Sequence, residues 1–258
     1  MSRKKLEIDP RIGNDRVGLL ITRGQMEHLG HAALKAQMMM DNSTNIIGFG
    51  SSQKSGVYDN PLSSDQKKRA QQGAWGEAFK IVFLQDIGAT DRSRDWGDYV
   101  FDRIKSNQMP EPTDLYAGSK HEARWYEHHF ASLQGQAHYT RGMFQVWENP
   151  ESGKRIHILD RNLHVPISSS EVRSMIERRD DGWRNFVPQK LWSFYEWEYP
   201  PALRAAIETE PDGHFPDEGH PVGTKAVFTD DPKKIYILRD DGKWRPRTEA
   251  EDSKSLGD

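Results

Sequence analysis

The chain has 258 residues, with 36 Lys and Arg against 39 Asp and Glu, and a formal net charge of -3. This balance argues against a protein that binds nucleic acid mainly through its phosphates. Because cysteine is absent, disulfides, thiolate metal ligands and a cysteine nucleophile are excluded, and we expect a reducing, cytoplasmic location. No apolar run approaches the length of a transmembrane span, so no membrane partner is expected.

Apolar runs alternate with amphipathic stretches along most of the chain. In chain order the pattern predicts a strand at 17–21, a helix at 30–40, a strand at 45–51, a helix at 61–75, a strand at 80–87, a helix at 95–107, a strand at 114–119, a helix at 122–130, a strand at 155–161 and helices at 168–178 and 187–199. This alternation predicts an α/β fold with a doubly wound, mostly parallel sheet. Ligands of such sheets bind beyond the carboxyl ends of the strands, at the switch point.

The two ends of the chain differ from this central part. Residues 1–16 are charged and lack the apolar core of a signal peptide, so we predict a short extension there. Residues 201–258 begin with a stretch rich in Pro, Gly and acidic residues, which predicts a linker. Alternation and Asp-Pro and Asp-Gly turns then predict a small β unit, and the last ten residues are predicted to be disordered.

Two histidines lie where the first predicted strand leads into a helix. His28 and His31 are three residues apart, which places them on the same side of the first helical turn. A helix N-terminus offers backbone N–H groups and a positive dipole end to a phosphate, and Gly30 would let a phosphate or an adenine approach closely. The alternative is that His28 is a loop residue and His31 an ordinary helix histidine.

A second candidate phosphate site is the segment "ISSSEVR" at 167–173. It places three hydroxyls at a predicted helix start, and Arg173 one turn later would hold a triphosphate bidentately. The alternative is an ordinary capped helix with a surface arginine.

Together the two segments resemble the nucleotidyltransferase superfamily, whose signatures are (H/T)xGH and ISSTxxR, and within it the archaeal-type nicotinamide-nucleotide adenylyltransferases. "TRGQMEHLGH" (22–31) keeps the Arg, the Gln and both histidines of that family. The segments that follow in the family's order are "IIGFGSSQKS", "NPLSSDQK", "FLQDI", "LYAGS" and "DDGWRNFVP". The resemblance covers about residues 17 to 195. The chain departs from the family at Met26-Glu27, where Pro-Phe is usual, at Gln66-Lys67, where Glu-Arg is usual, and at Ser170, where Thr is usual.

The resemblance implies a Rossmann-like nucleotidyltransferase domain over 17–200, transferring adenylyl from ATP to nicotinamide mononucleotide to give NAD and pyrophosphate. It assigns His28, His31, Arg173 and Arg23 to catalysis on the ATP phosphates. Further ATP contacts are assigned to Gly30, Gln25, Gly118, Ser168, Ser169, Ser170 and Lys67, and contacts to the mononucleotide are assigned to Gln85, Asp86 and Trp96. Mg²⁺ would enter through the ATP phosphates, and a homo-oligomer is implied.

Several alternatives stay open at this point. Trp96 is as readily a core aromatic as a nicotinamide-stacking residue. "YEHHF" (126–130) is more simply a polar helix face than a metal site, because His121 and His138 have no ligand-like spacing, and no metal site is predicted. The acceptor could be another phosphate such as phosphopantetheine, or the chain could be a regulatory protein that binds nucleotide without turnover.

Overall fold

A computed structural model of the chain describes residues 15–55, 60–88, 93–140, 144–160, 167–177, 180–197, 207–209, 225–228, 235–238 and 244–246. The backbone contacts divide the chain into two compact units. Unit 1 comprises Met1–Thr22, Ala33–Gly48 and Glu77–His164, and unit 2 comprises Arg23–Ala32, Phe49–Gly76 and Val165–Asp258. The predicted segments 1–16, 17–200 and 201–258 remain a prediction. The extension up to residue 14 and the last ten residues lie outside the described residues.

A seven-stranded sheet forms the body of unit 1. Its strands are β1 (Val17–Thr22), β2 (Thr44–Phe49), β3 (Lys80–Phe83), β4 (Asp114–Ala117), β5 (His138–Thr140), β6 (Phe144–Glu148) and β7 (Arg155–Leu159). Their order is β3-β2-β1-β4-β7-β6-β5, with β1, β4 and β7 parallel and β6 antiparallel to both of its neighbours. All four residues of β4 are buried, as is typical of a central strand covered on both faces.

Helices follow most of the strands. They are α1 (Leu29–Asp41), α2 (Ser64–Trp75), α3 (Ser93–Ser106), α4 (Lys120–Ala123), α5 (Ser169–Glu177) and α6 (Trp192–Trp197), with 3-10 turns at Arg124–Tyr126, Asp181–Phe186 and Gln189–Leu191. The predicted α/β, Rossmann-like fold is confirmed. The strand order reverses between β1 and β4, so the switch point lies at their carboxyl ends. No helix among the described residues is long and apolar enough to cross a membrane.

Two strands were not predicted, and two predicted helices differ from the structure. The strands are the antiparallel β5 and β6. The helix expected at 122–130 is only α4 and a 3-10 turn, and beyond it the Glu127 carboxylate accepts from the backbone N–H of Leu133 instead of lying along a helix. The helix expected at 187–199 begins as the 3-10 turn Gln189–Leu191 and continues as the six-residue α6, and residues 198–199 lie outside the described residues. Its aromatic residues have modest helix propensity, and Trp192 instead donates to the carbonyl of Val187.

A small sheet near the C-terminus contains β8 (Ile207–Thr209), β9 (Lys225–Phe228), β10 (Ile235–Leu238) and β11 (Trp244–Pro246), in the order β11-β10-β9-β8. The antiparallel part, β9 to β11, confirms the predicted β appendage. The sheet also contains β8, parallel to β9, within the stretch that was predicted to be a linker.

A buried carboxylate joins the starts of the central strands of unit 1. Asp114 is completely buried and accepts from Arg16 Nε at 2.6 Å, Arg155 Nε at 2.7 Å and His157 Nε2 at 2.8 Å. Burial alone raises the pKa of Asp114, but the hydrogen bonds from His157 and Arg16 outweigh it and hold that pKa well below its ordinary range. The charge is therefore retained in the interior, where it ties together the entries of β1, β4 and β7.

We expect Asp114→Ala to lower the free energy of unfolding by about 3–5 kcal/mol, because Arg16, Arg155 and His157 would lose the buried carboxylate that they contact. Urea denaturation measures this, with the exposed Asp102→Ala on α3 as the control, for which we expect a change of at most about 0.5 kcal/mol.

The Asp114 carboxylate also makes the free energy of unfolding depend on pH. Because its pKa is lower in the folded than in the unfolded chain, its contribution is present above the unfolded pKa and is lost as the pH falls towards the folded one. We expect the stability difference between wild type and Asp114→Ala to shrink as the pH falls below about 4. A difference that stays constant with pH would contradict this.

Candidate functional site

The loop after β1 runs through the interior of unit 2. Arg23 is exposed, but residues 25–28 are buried. Gly24 has a φ of 64°, and a Cβ there would lie 2.5 Å from the ring of Phe49. Only glycine meets both conditions, so the loop can lie against Phe49 only with this residue before Gln25.

The side chain of Gln25 attaches the loop to the segment before α2. Its Oε1 accepts from the backbone N–H of Leu62 at 2.7 Å, and its Nε2 donates to Asn60 Oδ1 at 3.3 Å. Gln25 is only 2% exposed. The amide thus satisfies buried groups of unit 2 itself, and its expected contact with ATP stays a prediction.

Glu27, which departs from the family pattern, is held by two aromatic residues. Its backbone N–H donates to the Tyr195 hydroxyl at 2.7 Å, and its Oε1 accepts from Trp75 Nε1 at 2.5 Å. Burial raises the pKa of the Tyr195 phenol, and the charge of Glu27 raises it further. The phenol is therefore neutral, and the Glu27 carboxylate is bound by the indole of α2.

His28 is the N-cap of α1. Its carbonyl accepts the first helical bond, from Ala32 N at 3.0 Å, and its Nδ1 accepts from Gly30 N at 3.1 Å. A neutral imidazole whose Nδ1 accepts carries its proton on Nε2. The cap therefore sets the tautomer in which Nε2 is a hydrogen-bond donor, which is what a phosphate oxygen requires.

The two histidines of the motif lie together. The ring centroids of His28 and His31 are 4.1 Å apart with an interplanar angle of 30°. A Cβ on Gly30 would lie 2.9 Å from Cε1 and 3.0 Å from Nδ1 of His28. The sequence assigned Gly30 to the close approach of a ligand. In the structure, the group that lies next to Gly30 and would collide with a side chain there is the His28 ring.

The three serines of the second motif have three different partners. Ser168 and Glu171 form a capping box at the start of α5, in which Glu171 Oε2 accepts from the backbone N–H of Ser168 at 2.6 Å and Ser168 Oγ accepts from Glu171 N at 3.2 Å. Ser169 Oγ donates to the carbonyl of Met26 at 2.9 Å. Ser170 Oγ accepts from Arg173 Nη2 at 3.3 Å. The segment is thus a capped helix start, as in the alternative interpretation, but its arginine is buried and one serine binds the histidine loop.

The bond from Ser169 to Met26 brings the two motifs together across 143 positions of sequence. Apolar packing accompanies this hydrogen bond, because the side chains of Met26 and Val172 are both buried in one hydrophobic cluster of unit 2. Arg173, next to Val172, is 5% exposed. The start of α5 is thus anchored directly to the residue two positions before His28.

Lys67 lies deeper than the phosphate role assigned to it would suggest. It is 1% exposed, and its Nζ donates to the carbonyl of Gly50 at 3.0 Å. This bond attaches α2 to the end of β2. Its contact with ATP stays a prediction.

The remaining predicted residues belong to unit 1. Gln85 and Asp86 are exposed after β3, and the backbone N–H of Gln85 donates to the hydroxyl of Tyr99 at 3.0 Å. Trp96 is partly buried and donates from Nε1 to the Tyr126 hydroxyl at 2.8 Å. Gly118 follows β4, and its N–H donates to Glu122 Oε2.

Sequence reasoning missed the residues that position the histidine loop. Tyr195 and Trp75 are separated from Glu27 by 168 and 48 positions, and nothing in their local patterns indicates a partner. The one available signal was Glu27 itself, a charged residue in a buried loop that requires hydrogen-bond donors.

No protein-family model and no curated protein matches the sequence. Among solved structures, the NadR protein in complex with NAD and AMP-PNP is similar with 14% identity and a TM-score of 0.46, covering 70% of this chain and 47% of that chain. The NadR protein in complex with NR gives 13%, 0.47, 70% and 46%. The chain thus spans about half the length of each, and the similarity concerns the course of the backbone alone.

Gly30→Ala tests the fit of the His28 ring. Alanine normally favours a helix over glycine by about 1 kcal/mol, but here the new Cβ would displace the ring, so we expect weaker ATP binding and no gain in stability. Isothermal titration and thermal melting measure both.

The matched control is Gly73→Ala in α2, where an added Cβ meets nothing within 4 Å. We expect it to raise the free energy of unfolding by about 0.4–1 kcal/mol and to leave ATP binding unchanged. Equal behaviour of the two variants would contradict the argument.

Proposed function

We propose that this chain transfers the adenylyl group of ATP to nicotinamide mononucleotide, forming NAD and pyrophosphate. The observation that carries the proposal is the hydrogen bond from Ser169 to the carbonyl of Met26. It joins the HxGH loop to the start of α5, and these are the two segments in which the family resemblance is strongest.

The groups around this contact suit a polyphosphate. The His28 cap leaves Nε2 as a donor, and the His31 ring lies beside it. The starts of α1 and α5 add their positive dipole ends, and Arg173 adds a guanidinium. In the proposed assignment the histidines contact the α-phosphate side of ATP, and Arg173 with Ser168, Ser169 and Ser170 holds the β- and γ-phosphates.

The proposed reaction needs no general base. A phosphate oxygen of the mononucleotide, already anionic, attacks the α-phosphorus of ATP. The new P–O bond forms as the bond to the bridging β-phosphate oxygen breaks, and pyrophosphate leaves with that electron pair. Catalysis then consists of positioning and neutralising charge, which is what histidine, arginine and backbone N–H donors supply.

Mg²⁺ is proposed to arrive bound to ATP. The metal-ligand cluster found among the described residues is Asp98, His128 and His129 of unit 1, and the described part of unit 2 contributes no comparable group. Magnesium commonly keeps several waters and binds through substrate phosphates. The residues proposed to contact ATP are therefore compatible with a magnesium ion that the nucleotide delivers.

The resemblance assigns the nicotinamide end of the acceptor to Gln85, Asp86 and Trp96. Trp96 would stack on the ring, Asp86 and Gln85 would lie near the carboxamide, and Gly118 would lie near adenine. The support from geometry is that Gln85 and Asp86 are exposed at the end of β3, and that the hydrogen bond to Tyr126 holds the Trp96 indole in one orientation.

A second candidate is a protein that binds nucleotide without turnover. It is favoured by Lys67, which stands where the family has a phosphate-contacting arginine but is buried and bonded to Gly50. ATP binding without pyrophosphate release separates this candidate from the enzyme.

The experiment is pyrophosphate release with ATP and Mg²⁺, using nicotinamide mononucleotide, its deamidated form and phosphopantetheine as separate acceptors. We expect NAD formation, and a loss of about 100- to 1000-fold in kcat/KM for His31→Ala, because one donor to developing charge is removed. The exposed His121→Ala is the matched control and should retain activity. Turnover only with phosphopantetheine would replace the acceptor, and ATP binding with no turnover would favour the second candidate.

Ser169→Ala tests the joint between the motifs. Loss of the bond to Met26 should lower stability by only about 0.5–1.5 kcal/mol but reduce kcat/KM by at least tenfold, since the start of α5 is no longer held beside the histidine loop. Circular dichroism and melting curves confirm that the variant is folded. A folded Ser169→Ala variant with wild-type activity would contradict the importance of this bond.

A further inference from the structure

Unit 1 contains a cluster of two imidazoles and a carboxylate that the proposed reaction does not use. Asp98 lies on α3, and His128 and His129 lie in the turn after the 3-10 segment Arg124–Tyr126. Both histidine Nε2 atoms are 2.9 Å from the same oxygen, Oδ1 of Asp98. The three ligand atoms lie within 4.8 Å of one another. Sequence analysis weighed "YEHHF" (126–130) as a metal site and set it aside, because the third ligand, Asp98, comes from a different element and was not recognised.

One imidazole nitrogen of the cluster is shielded from solvent. His129 Nε2 is buried, and it contacts Asp98 Oδ1 at 2.9 Å. The same oxygen contacts His128 Nε2 at 2.9 Å, so one carboxylate oxygen meets two imidazole nitrogens. Imidazole nitrogens and carboxylate oxygens are common ligands of divalent transition metals.

The ligand atoms lie close enough together to share one ion. Two ligand atoms each about 2.1 Å from a metal lie about 3.0 Å apart when they subtend a right angle, and about 3.4 Å apart at the tetrahedral angle. The observed contacts of 2.9 Å would therefore lengthen by about 0.5 Å around a tetrahedral ion. Imidazole nitrogen with one carboxylate suits divalent transition metals such as Zn²⁺, Co²⁺ and Ni²⁺, whereas Mg²⁺ prefers oxygen ligands.

The surrounding packing holds the ligands in place. The ring of His129 is stacked on Phe101 with centroids 3.8 Å apart. A Cβ on Gly97 would lie 2.6 Å from the carbonyl of Trp125 and 3.0 Å from Cε1 of His128. Glycine before Asp98 therefore allows α3 to approach the histidine turn closely. Asp98 itself is 53% exposed, which leaves an ion access to solvent.

The nearest other charges do not repel an ion strongly. Lys154 is paired with Glu111 at 2.5 Å, so its positive charge is largely neutralised locally.

We propose that Asp98, His128 and His129 bind one divalent transition-metal ion, with water in its remaining coordination positions. The ion would join α3 to the turn after residue 126. Trp96, two residues before Asp98, already donates to Tyr126, two residues before His128, so the ion would strengthen an existing contact between the same two elements. This proposal is independent of the proposed function, because none of the three ligands is assigned to ATP or to the mononucleotide.

The test is a titration of the full-length, untagged, metal-free chain with Zn²⁺ by calorimetry, with Co²⁺ as an absorption probe. We expect one tight equivalent in the wild type, at least 100-fold weaker binding in the double variant His128→Ala/His129→Ala, and a melting temperature that Zn²⁺ raises in the wild type but not in the double variant. His121→Ala, a neighbouring exposed histidine, should bind Zn²⁺ like the wild type.

Asp98→Asn keeps the experiment informative if the double variant fails to fold. Its side chain is half exposed and nearly isosteric, so it should fold as the wild type does and bind Zn²⁺ at least tenfold more weakly. Absence of Zn²⁺ binding by the wild type at about 100 μM, or equal binding by wild type and Asp98→Asn, would overturn the proposal. Adenylyl transfer is measured separately, with Mg²⁺ in metal-depleted buffer, so failure of one proposal is distinguishable from failure of the other.

Discussion

The site of unit 2 depends on one constraint, which is that the loop at residues 25–28 is buried and its polar groups must all find partners. Gln25 bonds to Leu62, the Met26 carbonyl to Ser169, and Glu27 to Tyr195 and Trp75. These partners come from the segment before α2, from α2 itself, from the start of α5 and from the middle of α6. A buried backbone cannot leave such groups unpaired without a cost of about 1–3 kcal/mol each, so the loop has one arrangement.

The positions of His28 and His31 depend on this loop. His28 follows it directly and caps α1, and the acceptor role of its Nδ1 towards Gly30 determines which nitrogen carries the proton. The residue that caps α1 is thus also the residue that we propose donates a hydrogen bond to a phosphate. Local helix chemistry and the proposed binding chemistry use the two different nitrogens of one ring, so they do not compete.

In unit 1, a buried charged group is likewise held by its hydrogen-bond partners. Asp114 is buried among two arginines and a histidine at the start of the central strands. Asp98 is its exposed counterpart, a carboxylate with one oxygen in contact with two histidines. The second cluster differs from the first in its access to solvent and in the composition that we propose binds an ion.

The sequence by itself determined the α/β class, because buried strands and amphipathic helices have different periods that can be read locally. It also located His28, His31 and the capped start of α5, since capping residues act within four positions. Only the tertiary structure decided that Ser169 binds Met26, that Tyr195 and Trp75 hold Glu27, that Lys67 turns towards Gly50, and that Asp98 meets His128 and His129. These contacts join residues that are distant in the chain, and their partners are selected by the packing of whole elements, for which no local pattern exists.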